Sequence, residues 1–334
     1  MRRVLVIRFS SLGDIILTFP SIKFLADLGN EVHVFTKNSF VPLIKLHGVA
    51  THIHSIPDHA SSKELFTKIS ELRTLGFEVI YDLHRNLRSR LTTILLGRPF
   101  WRVRKFRFKE WFLFIFRRQL FLKLGLRPID RAAEAFHLVS LRQEKRFLLG
   151  RGVTVTSIEL TSEISKPLST FKRGYICVAA ESAWQQKQWP VSRFIGVAKA
   201  IQGQGIGIVW VGLNPLPGEA NFMGSLDLTG RLNLCEVAKV LQGSRLLLSN
   251  DSGLMHLAEA VRTPIVALFG PTTGELGFAP KLIGSRIVEK SLWCRPCSKT
   301  GRLCIRPIAR RKCLTDISIG EVLVAIKTVL ESPV

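Results

Sequence analysis

Apolar and polar positions alternate along the chain in a way that predicts strands and helices in turn. Short runs of Val, Ile, Leu and Phe are followed by segments in which apolar residues recur every three to four positions. Strands are expected at residues 4–7, 32–35, 79–83, 175–179, 206–211, 246–248 and 264–269. Helices are expected directly after Asp14 and at residues 63–75, 192–202, 234–242 and 253–261. This alternation is typical of βαβ units and parallel sheets, so the pattern predicts an α/β fold.

The helical pattern is lost between residues 150 and 173, which end in a stretch rich in Ser, Thr, Pro and Lys. This stretch is interpreted as a linker between two similar α/β domains that face each other, at residues 1–160 and 172–316. Residues 317–330 form an amphipathic pattern with no later element to pack on. The final segment, residues 317–334, could therefore cross back onto the first domain.

Composition excludes several classes of protein. The 334 residues are 46% apolar, which excludes a disordered chain. No apolar run approaches the ~18 residues that a membrane-spanning helix needs. The apolar stretch after Arg2 and Arg3 is too short for a signal peptide and is expected to form the first strand. The six cysteines are then expected to be reduced thiols, with the cytoplasm as the default compartment.

The net charge of +23 implies an anionic partner and is concentrated in two segments. Residues 84–127 carry thirteen Lys or Arg against Glu110, and residues 281–313 carry ten against Glu289. In residues 101–118, Trp and Phe are interleaved with the cations, as in a surface that docks on anionic lipid. A core helix with a solvated basic face remains an alternative. Binding of single-stranded nucleic acid is the other alternative, although neither an RNP signature nor a zinc-finger spacing is present.

Four cysteines near the C-terminus leave a second question open. Cys294 and Cys297 form a CxxC pair, followed by Cys304 and Cys313. A CxxC pair can begin a zinc site, but the second tight pair of a structural zinc site is missing. Packed or surface thiols are the other interpretation. Cys177 and Cys235 fall within a strand and a helix pattern and are expected in the core.

Two segments carry candidate chemistry. The first strand leads into Ser10-Ser11-Leu12-Gly13-Asp14, where a turn at a helix N-terminus would offer free backbone N–H groups to an anion or polar ligand. Asp14 falls where a helix-capping residue would fall, so capping is the structural alternative. In the second half, a strand leads into Asp251-Ser252-Gly253, with His256 one turn into the following helix. The next strand ends at Gly270-Pro271-Thr272, which predicts an anion-binding site at adjacent strand ends.

These motifs resemble glycosyltransferase family 9, the ADP-heptose:lipopolysaccharide heptosyltransferases. The resemblance lies in D-S-G-x-x-H-x-x-x-A followed by P-x-V-A-L-F-G-P-T, together with IRFSSLGDIILTFP near the N-terminus and AWQQKQWPVSRF in the centre. It spans nearly the whole chain. It implies a GT-B fold of two Rossmann-like domains facing a central cleft, with the acceptor in the first domain and the donor in the second. It also implies inversion at the anomeric carbon without a metal or other cofactor.

The resemblance assigns roles residue by residue. Asp14 becomes the general base and Lys187 a phosphate contact, both counted as catalytic. The donor-binding residues are Ser182, Asp251, Ser252, Gly253, His256, Gly270 and Thr272. The acceptor-binding residues are Ser10, Ser11, Gly13, Arg85 and Arg88. An acidic residue is also expected after the strand at 206–211, where Gly212-Leu213-Asn214 offers none.

The expected partners are a nucleotide sugar, with ADP-heptose first, a phosphorylated lipid-linked glycan acceptor and an anionic membrane surface, but not nucleic acid. The expected location is peripheral, on the cytoplasmic face of the bacterial inner membrane. Two alternatives remain at this point. One is the same fold with a different nucleotide-sugar donor, and the other is a catalytically silent basic protein that binds membrane or nucleic acid.

Overall fold

The computed structural model describes residues 1–102, 153, 155, 157–276, 278–297 and 304–332. The chain divides into two compact units. Of the described residues, 1–102 and Val153 belong to the first unit, and Val155 and all later residues belong to the second. No described helix combines the length and the apolar character needed to cross a membrane.

The first unit is a parallel five-stranded sheet in the order β3-β2-β1-β4-β5. Its strands are β1 (Arg3–Ile7), β2 (Glu31–Lys37), β3 (His52–Ile56), β4 (Val79–Asp82) and β5 (Phe100–Arg102). Its helices are α1 (Leu12–Ile16), α2 (Phe19–Asp27), α3 (Val41–His47), α4 (Ser62–Thr74) and α5 (Leu87–Leu96). The core forms where fully buried residues of the central strands, such as Leu5 and Ile80, pack with Leu72 of α4 and Leu96 of α5. The chain leaves β1 toward β2 on one side and returns to β4 on the other, so the topological switch lies between β1 and β4.

The second unit is a parallel six-stranded sheet in the order β11-β10-β9-β6-β7-β8. Its strands are β6 (Tyr175–Ala179), β7 (Gly207–Trp210), β8 (Ser225–Asp227), β9 (Leu247–Asn250), β10 (Ile265–Phe269) and β11 (Arg286–Glu289). Its helices are α6 (Ser162–Ser169), α7 (Val191–Gln202), α8 (Leu234–Gln242), α9 (Gly253–Ala260), α10 (Lys312–Thr315) and α11 (Ile319–Glu331). The switch point of this sheet lies between β6 and β9.

Two features of the second unit correct the sequence interpretation. Residues 162–169 form helix α6, although the sequence there was expected to be part of a linker without helical structure. The closing helix α11, for which the sequence indicated no packing partner, packs in the second unit. Its buried residues Val322, Ile326 and Val329 join Phe194 and Ile201 of α7 in one apolar core. The apolar face of α11 therefore packs against α7 in the second unit.

Candidate active site

Polar side chains gather at the carboxyl edge of the first sheet, at its switch point. β1 leads into Ser10, Ser11 and Asp14, and β4 leads into Asp82 and Arg85. Since β1 and β4 are neighbours in the sheet, the two loops leave the same edge side by side. Open α/β sheets bind ligands at such points.

Asp14 lies inside the first turn of α1 and does not cap it. The helix begins at Leu12 with Ser11 as its N-cap, and Asp14 Oδ2 accepts hydrogen bonds from the Ser11 backbone N–H at 3.3 Å and from its hydroxyl at 3.1 Å. Asp14 is therefore not the N-cap residue, as the capping alternative expected. Its carboxylate does accept hydrogen bonds from the N-cap residue, Ser11. About 30% of the side chain stays exposed. Asp14 thus has both a fixed orientation and access to solvent.

Arg8 is the residue of this site that sequence reasoning missed. Its guanidinium lies 2.6 Å from Asp14 Oδ2 and donates to the carbonyls of Ser10, at 2.8 Å, and Leu83. Burial of the Asp14 carboxyl opposes ionisation, but Arg8 and the two Ser11 donors outweigh it, so the pKa of Asp14 lies below its ordinary value. Asp14 is therefore an ionised carboxylate at neutral pH.

The loop after β4 carries Arg85 and leads into α5, which carries Arg88. Asp82 is fully buried, and its carboxylate accepts the backbone N–H of Arg85 at 2.8 Å and Arg102 Nε at 3.2 Å. Arg85 has a left-handed backbone, with φ 54°, which this hydrogen bond stabilises. Arg88, on α5, donates to the Ala60 carbonyl at 2.8 Å and so ties α5 to the loop after β3. Gly13 is buried within α1.

The second unit has a matching set of polar groups at its own switch point. Ser182 follows β6 and Asp251 follows β9, and the Ser182 hydroxyl donates to the Asp251 carbonyl at 3.2 Å. The Asp251 carboxylate accepts Lys187 Nζ and the Thr272 hydroxyl, each at 2.6 Å from Oδ2. Lys187 and Asp251 are 12% and 7% exposed, so this is a nearly buried ion pair. Residues from the ends of three strands are thereby held together in front of α9.

Asn250, also unpredicted, fixes the segment that carries Lys187. Its side-chain amide donates to the Ala180 carbonyl at 2.7 Å, and its side-chain oxygen accepts the Trp189 backbone N–H at 3.0 Å. Trp189 is fully buried and donates from its indole to the Ile317 carbonyl at 3.1 Å. These bonds limit where Lys187, two residues before Trp189, can place its ammonium group.

Helix α9 begins at Gly253, with Ser252 as its N-cap residue. The Ser252 hydroxyl lies 3.1 Å from the Ser249 hydroxyl, and Gly253 adds no side chain over the free N–H groups of the first turn. His256 is buried in the same turn, and its ring meets that of Phe278 edge to face at 6.3 Å. The predicted loop Asp251–Gly253 therefore does lead into a helix N-terminus.

An acidic side chain does occupy the place beside β7 where the sequence offered none. Glu181, from the end of β6, accepts the backbone N–H groups of Leu213 at 2.7 Å and Asn214 at 2.9 Å. It comes from the neighbouring strand, 32 residues earlier in the chain than Leu213. Only the pairing of β6 with β7 reveals it.

Arg295 fixes the loop after β10 through hydrogen bonds to backbone carbonyls, and the sequence analysis did not predict it. Its buried guanidinium donates to the carbonyls of Thr272 at 2.8 Å, Phe269 at 3.3 Å and Gly270 at 2.5 Å, and it pairs with Glu289 at 2.5 Å. A β-carbon on Gly270 would lie 2.6 Å from Leu314 Cγ, so glycine is needed for α10 to pack this closely.

The four C-terminal cysteines are free thiols that lie near one another. Burial, reinforced by the neighbouring thiols, raises the pKa of Cys297 to about 12. The pKa of Cys313 is raised to about 11 mainly by burial. Cys297 and Cys313 are therefore protonated at neutral pH. Cys177 is buried in β6, and Cys235 is buried in α8, as expected.

Each unit is a Rossmann-like α/β unit with a parallel sheet and with polar groups at its switch point. Two such units make up the GT-B architecture of nucleotide-sugar-dependent glycosyltransferases. The sequence model of glycosyltransferase family 9 (heptosyltransferase) matches residues 69–304, which is most of the chain. The protein belongs to this family and is a glycosyltransferase.

Named relatives and solved structures agree with this assignment. Lipopolysaccharide heptosyltransferase 1 of Pseudomonas aeruginosa is 23% identical over 323 residues, which cover 89% of this chain and 86% of that protein. The family 9 glycosyltransferase structure from Veillonella parvula superposes with a TM-score of 0.75 at 20% identity, covering 98% of this chain and 97% of that one. The E. coli ADP-heptose lipopolysaccharide heptosyltransferase II superposes with a TM-score of 0.70 at 20% identity, covering 99% and 98%. At these identities the two structures establish the fold.

Proposed function

We propose that this chain transfers a heptose from ADP-heptose to a lipopolysaccharide inner-core acceptor, with inversion at the anomeric carbon and without a metal ion. The names of the relatives support the sugar and the acceptor class. Asp14 is the observation that carries the proposal, because it is an ionised, partly exposed carboxylate held at a ligand-binding sheet edge.

Asp14 is the general base of the proposed reaction. Its carboxylate removes the proton from the acceptor hydroxyl as the hydroxyl oxygen attacks the oxocarbenium-like sugar carbon opposite the leaving ADP. Ser10, Ser11, Gly13, Arg85 and Arg88 surround the acceptor in this proposal. Arg85 and Arg88 carry the positive charge suited to the phosphate groups of a lipid-linked glycan.

Lys187 and the N-terminus of α9 stabilise the leaving diphosphate. A lysine ammonium has three N–H donors, and the bond to Asp251 uses one of them, so two remain for phosphate oxygens. The free N–H groups around Gly253 and the helix dipole add fixed positive potential where negative charge develops. Asp251 and Thr272 orient Lys187, while Ser182, Ser252, His256 and Gly270 complete the donor site. This arrangement supplies the charge stabilisation that a metal gives to other transferases.

The setting of the reaction follows from the acceptor. A phosphorylated lipid-linked glycan is anchored in a bilayer, so we propose that the enzyme works peripherally on the cytoplasmic face of the inner membrane. Its partners are then the nucleotide sugar, the glycan and the anionic lipid surface, without nucleic acid.

Transfer assays with the purified chain test the function. ADP-heptose and a heptose-deficient inner-core acceptor should yield ADP together with an acceptor whose mass has increased by one heptosyl group. ADP-glucose, UDP-glucose and GDP-mannose run in parallel, because a faster reaction with one of them would establish a different donor. Absence of transfer from all four donors would refute the proposal.

The Asp14→Asn variant tests the assignment of the base. Loss of the base should lower kcat by ~10²-fold or more. ADP should still raise the Tm of the variant as it does for the unaltered protein, because Asp14 contacts no phosphate in this mechanism. Asp27→Asn removes an exposed carboxylate of the same unit and is the matched control. Activity of Asp14→Asn equal to that of the control would return Asp14 to a role in holding the helix start.

A further inference from the structure

A carboxylate and three histidines cluster on β2 and β3, away from the polar groups at the switch point. Glu31 and His33 lie two residues apart on β2, and His52 and His54 lie two residues apart on β3, so each pair projects from one face of its strand. The register places His33 opposite His52. In the part of the chain that the structure describes, Glu31, His33 and His52 are the one group whose metal-ligand atoms all lie within 4.8 Å of one another.

We propose that Glu31 Oε1, His33 Nε2 and His52 Nε2 bind a divalent transition-metal ion of the zinc class. Glu31 Oε1 lies 3.1 Å from His33 Nε2 and 3.3 Å from His52 Nε2. Ligands about 2.0–2.2 Å from a tetrahedral ion lie about 3.3–3.5 Å from one another, so both separations are close to those of a zinc site. The two histidine nitrogens lie within 4.8 Å of each other, so side-chain rotation can bring all three atoms around one ion. Two imidazoles and a carboxylate are a donor set that zinc accepts, with one position left for water.

The atoms around the three ligands are arranged as metal ligands require. When His33 Nε2 ligates a metal, Nδ1 carries the proton and needs an acceptor, and His54 Nε2 lies 2.8 Å from it. Arg3 Nε binds Glu31 Oε2 at 2.9 Å, which leaves Oε1 as the single coordinating oxygen.

The cluster has an entry route and a place distinct from the reaction. His33 is only 4% exposed, whereas His52 is 53% exposed, so an ion can arrive from solvent on the His52 side. Arg3 begins β1 and pairs with Glu31 at the amino end of the sheet, whereas Asp14 follows the carboxyl end of β1. The ion therefore cross-links β2 and β3 and does not take part in sugar transfer.

Zinc binding by the metal-stripped full chain, without an affinity tag, tests the proposal. Titration with ZnCl₂, followed by calorimetry and by elemental analysis after dialysis, gives the stoichiometry and the affinity. His52→Gln and Glu31→Gln should each remove one bound equivalent or weaken its affinity by ~10-fold or more. His59→Gln, which removes an exposed histidine of the same unit, is the matched control and should change neither value.

A second set of measurements, on a variant with altered cysteines, excludes zinc bound by the cysteines of residues 294–313. Cys297→Ser with Cys304→Ser removes the two partly exposed thiols, and the equivalent bound by the histidine cluster should persist in that background. Co²⁺ bound there should lack a thiolate charge-transfer band. Circular dichroism and the Tm in EDTA verify that each variant is folded, and zinc should raise the Tm of the unaltered chain more than that of His52→Gln.

Two results would overturn the proposal. One is equal zinc binding by the unaltered chain, His52→Gln and Glu31→Gln, and the other is no zinc binding by the unaltered chain at micromolar metal. A transfer assay in EDTA separates this proposal from the proposed function. Activity lost in EDTA and restored by zinc would refute the metal-free mechanism even with the histidine site established.

Discussion

Arg8 and Asp14 show how one ion pair sets the chemistry available to a base. A carboxylate with a lowered pKa is ionised at working pH but holds its extracted proton weakly, because the Arg8 charge 2.6 Å away favours the ionised form. In the proposed mechanism, this keeps the base ionised over a wide pH range at the cost of a smaller driving force for proton transfer. The same contact fixes the orientation of the carboxylate.

Arg8→Gln should move the acid limb of the kcat/KM profile to higher pH. With Arg8 present, Asp14 is ionised down to a pH below its ordinary pKa, and activity falls only as pH drops through that lowered value. Without the cation, burial of Asp14 still raises its pKa, but the Arg8 charge no longer lowers it. The acid limb of the profile should therefore shift to higher pH by roughly one to three units. Arg8→Lys keeps the positive charge, so its acid limb should lie close to that of the unaltered protein. Lys23→Gln, whose cation pairs with Asp27 on its own helix, is the control. An unmoved limb in Arg8→Gln would mean that another group titrates.

At the scale of single elements, the loop after β10 depends on a strand and a loop that follow it in sequence. Arg295 binds two carbonyls of this loop, those of Gly270 and Thr272, and the carbonyl of Phe269 at the end of β10. It pairs with Glu289 at the end of β11. Thr272, in that loop, donates to Asp251, which in turn binds Lys187. The proposed donor-binding residues Asp251 and Lys187 are thus connected to the buried guanidinium through Thr272.

Arg295→Lys should therefore raise the KM for the nucleotide sugar. Lysine keeps one positive charge but cannot reach several carbonyls with a planar fork, so the Thr272 hydroxyl is held less firmly on Asp251. We expect a rise of ~10-fold in KM with a smaller change in kcat, measured by initial rates over a range of donor concentrations. Arg286→Gln, at the exposed start of β11, is the control. Equal KM values for the two variants would show that the loop holds its shape without Arg295.

The strands missed by the sequence pattern share one physical property. The predicted strands are all interior strands, and most of them are buried on both faces and consist of apolar runs. The missed ones are β3, β5, β8 and β11, which are the two edges of each sheet. Edge strands such as His52–Ile56 and Ser225–Asp227 are short or partly polar and carry no such run. Helix α6 was missed because Pro167 and its polar neighbours look like a linker.

The site was predictable only as far as its motifs are local. Asp14, Lys187 and the Asp251–Gly253 loop stand in short sequence patterns, and the structure gathers them at sheet edges as parallel strands require. Arg8 stands in the same motif as Asp14, but their contact depends on how the turn after β1 folds. Glu181 and Arg295 act on groups in other loops. Glu181 reaches a loop 32 residues away, and Arg295 reaches one 23 to 26 residues away. Such partners are fixed by strand order and packing, which periodicity does not specify.

At the scale of the whole molecule, the net charge of +23 favours a further anionic partner in addition to the proposed nucleotide sugar. Most of the basic aromatic segment 101–118 lies outside the described residues, so its docking on lipid stays a prediction from the sequence. The described residues at its start are consistent with it, since Phe100 is 41% exposed and Trp101 is 44% exposed. Arg102 pairs with the buried Asp82, and its guanidinium lies 4.2 Å from the centre of the Phe100 ring. Its charge supports the fold, so it should be left intact in a test of membrane binding.

Arg104→Gln, Lys105→Gln and Arg107→Gln together should release the protein from anionic vesicles. Three cations at ~1 kcal/mol each near an anionic surface correspond to roughly 10²-fold in affinity. Because the Debye length is ~10 Å at ~0.1 M salt, binding by the unaltered chain should also fall as salt is raised. Co-sedimentation with phosphatidylglycerol-containing vesicles measures both effects. Lys45→Gln, Lys63→Gln and Arg73→Gln remove the same charge from exposed positions of the first unit and should retain most binding. Turnover of a short, water-soluble acceptor should be unchanged in both triple variants, because no altered residue lies in the donor or acceptor motifs. Vesicle binding that ignores salt and the first triple substitution would show that residues 101–118 serve the packing of the protein rather than its attachment to lipid.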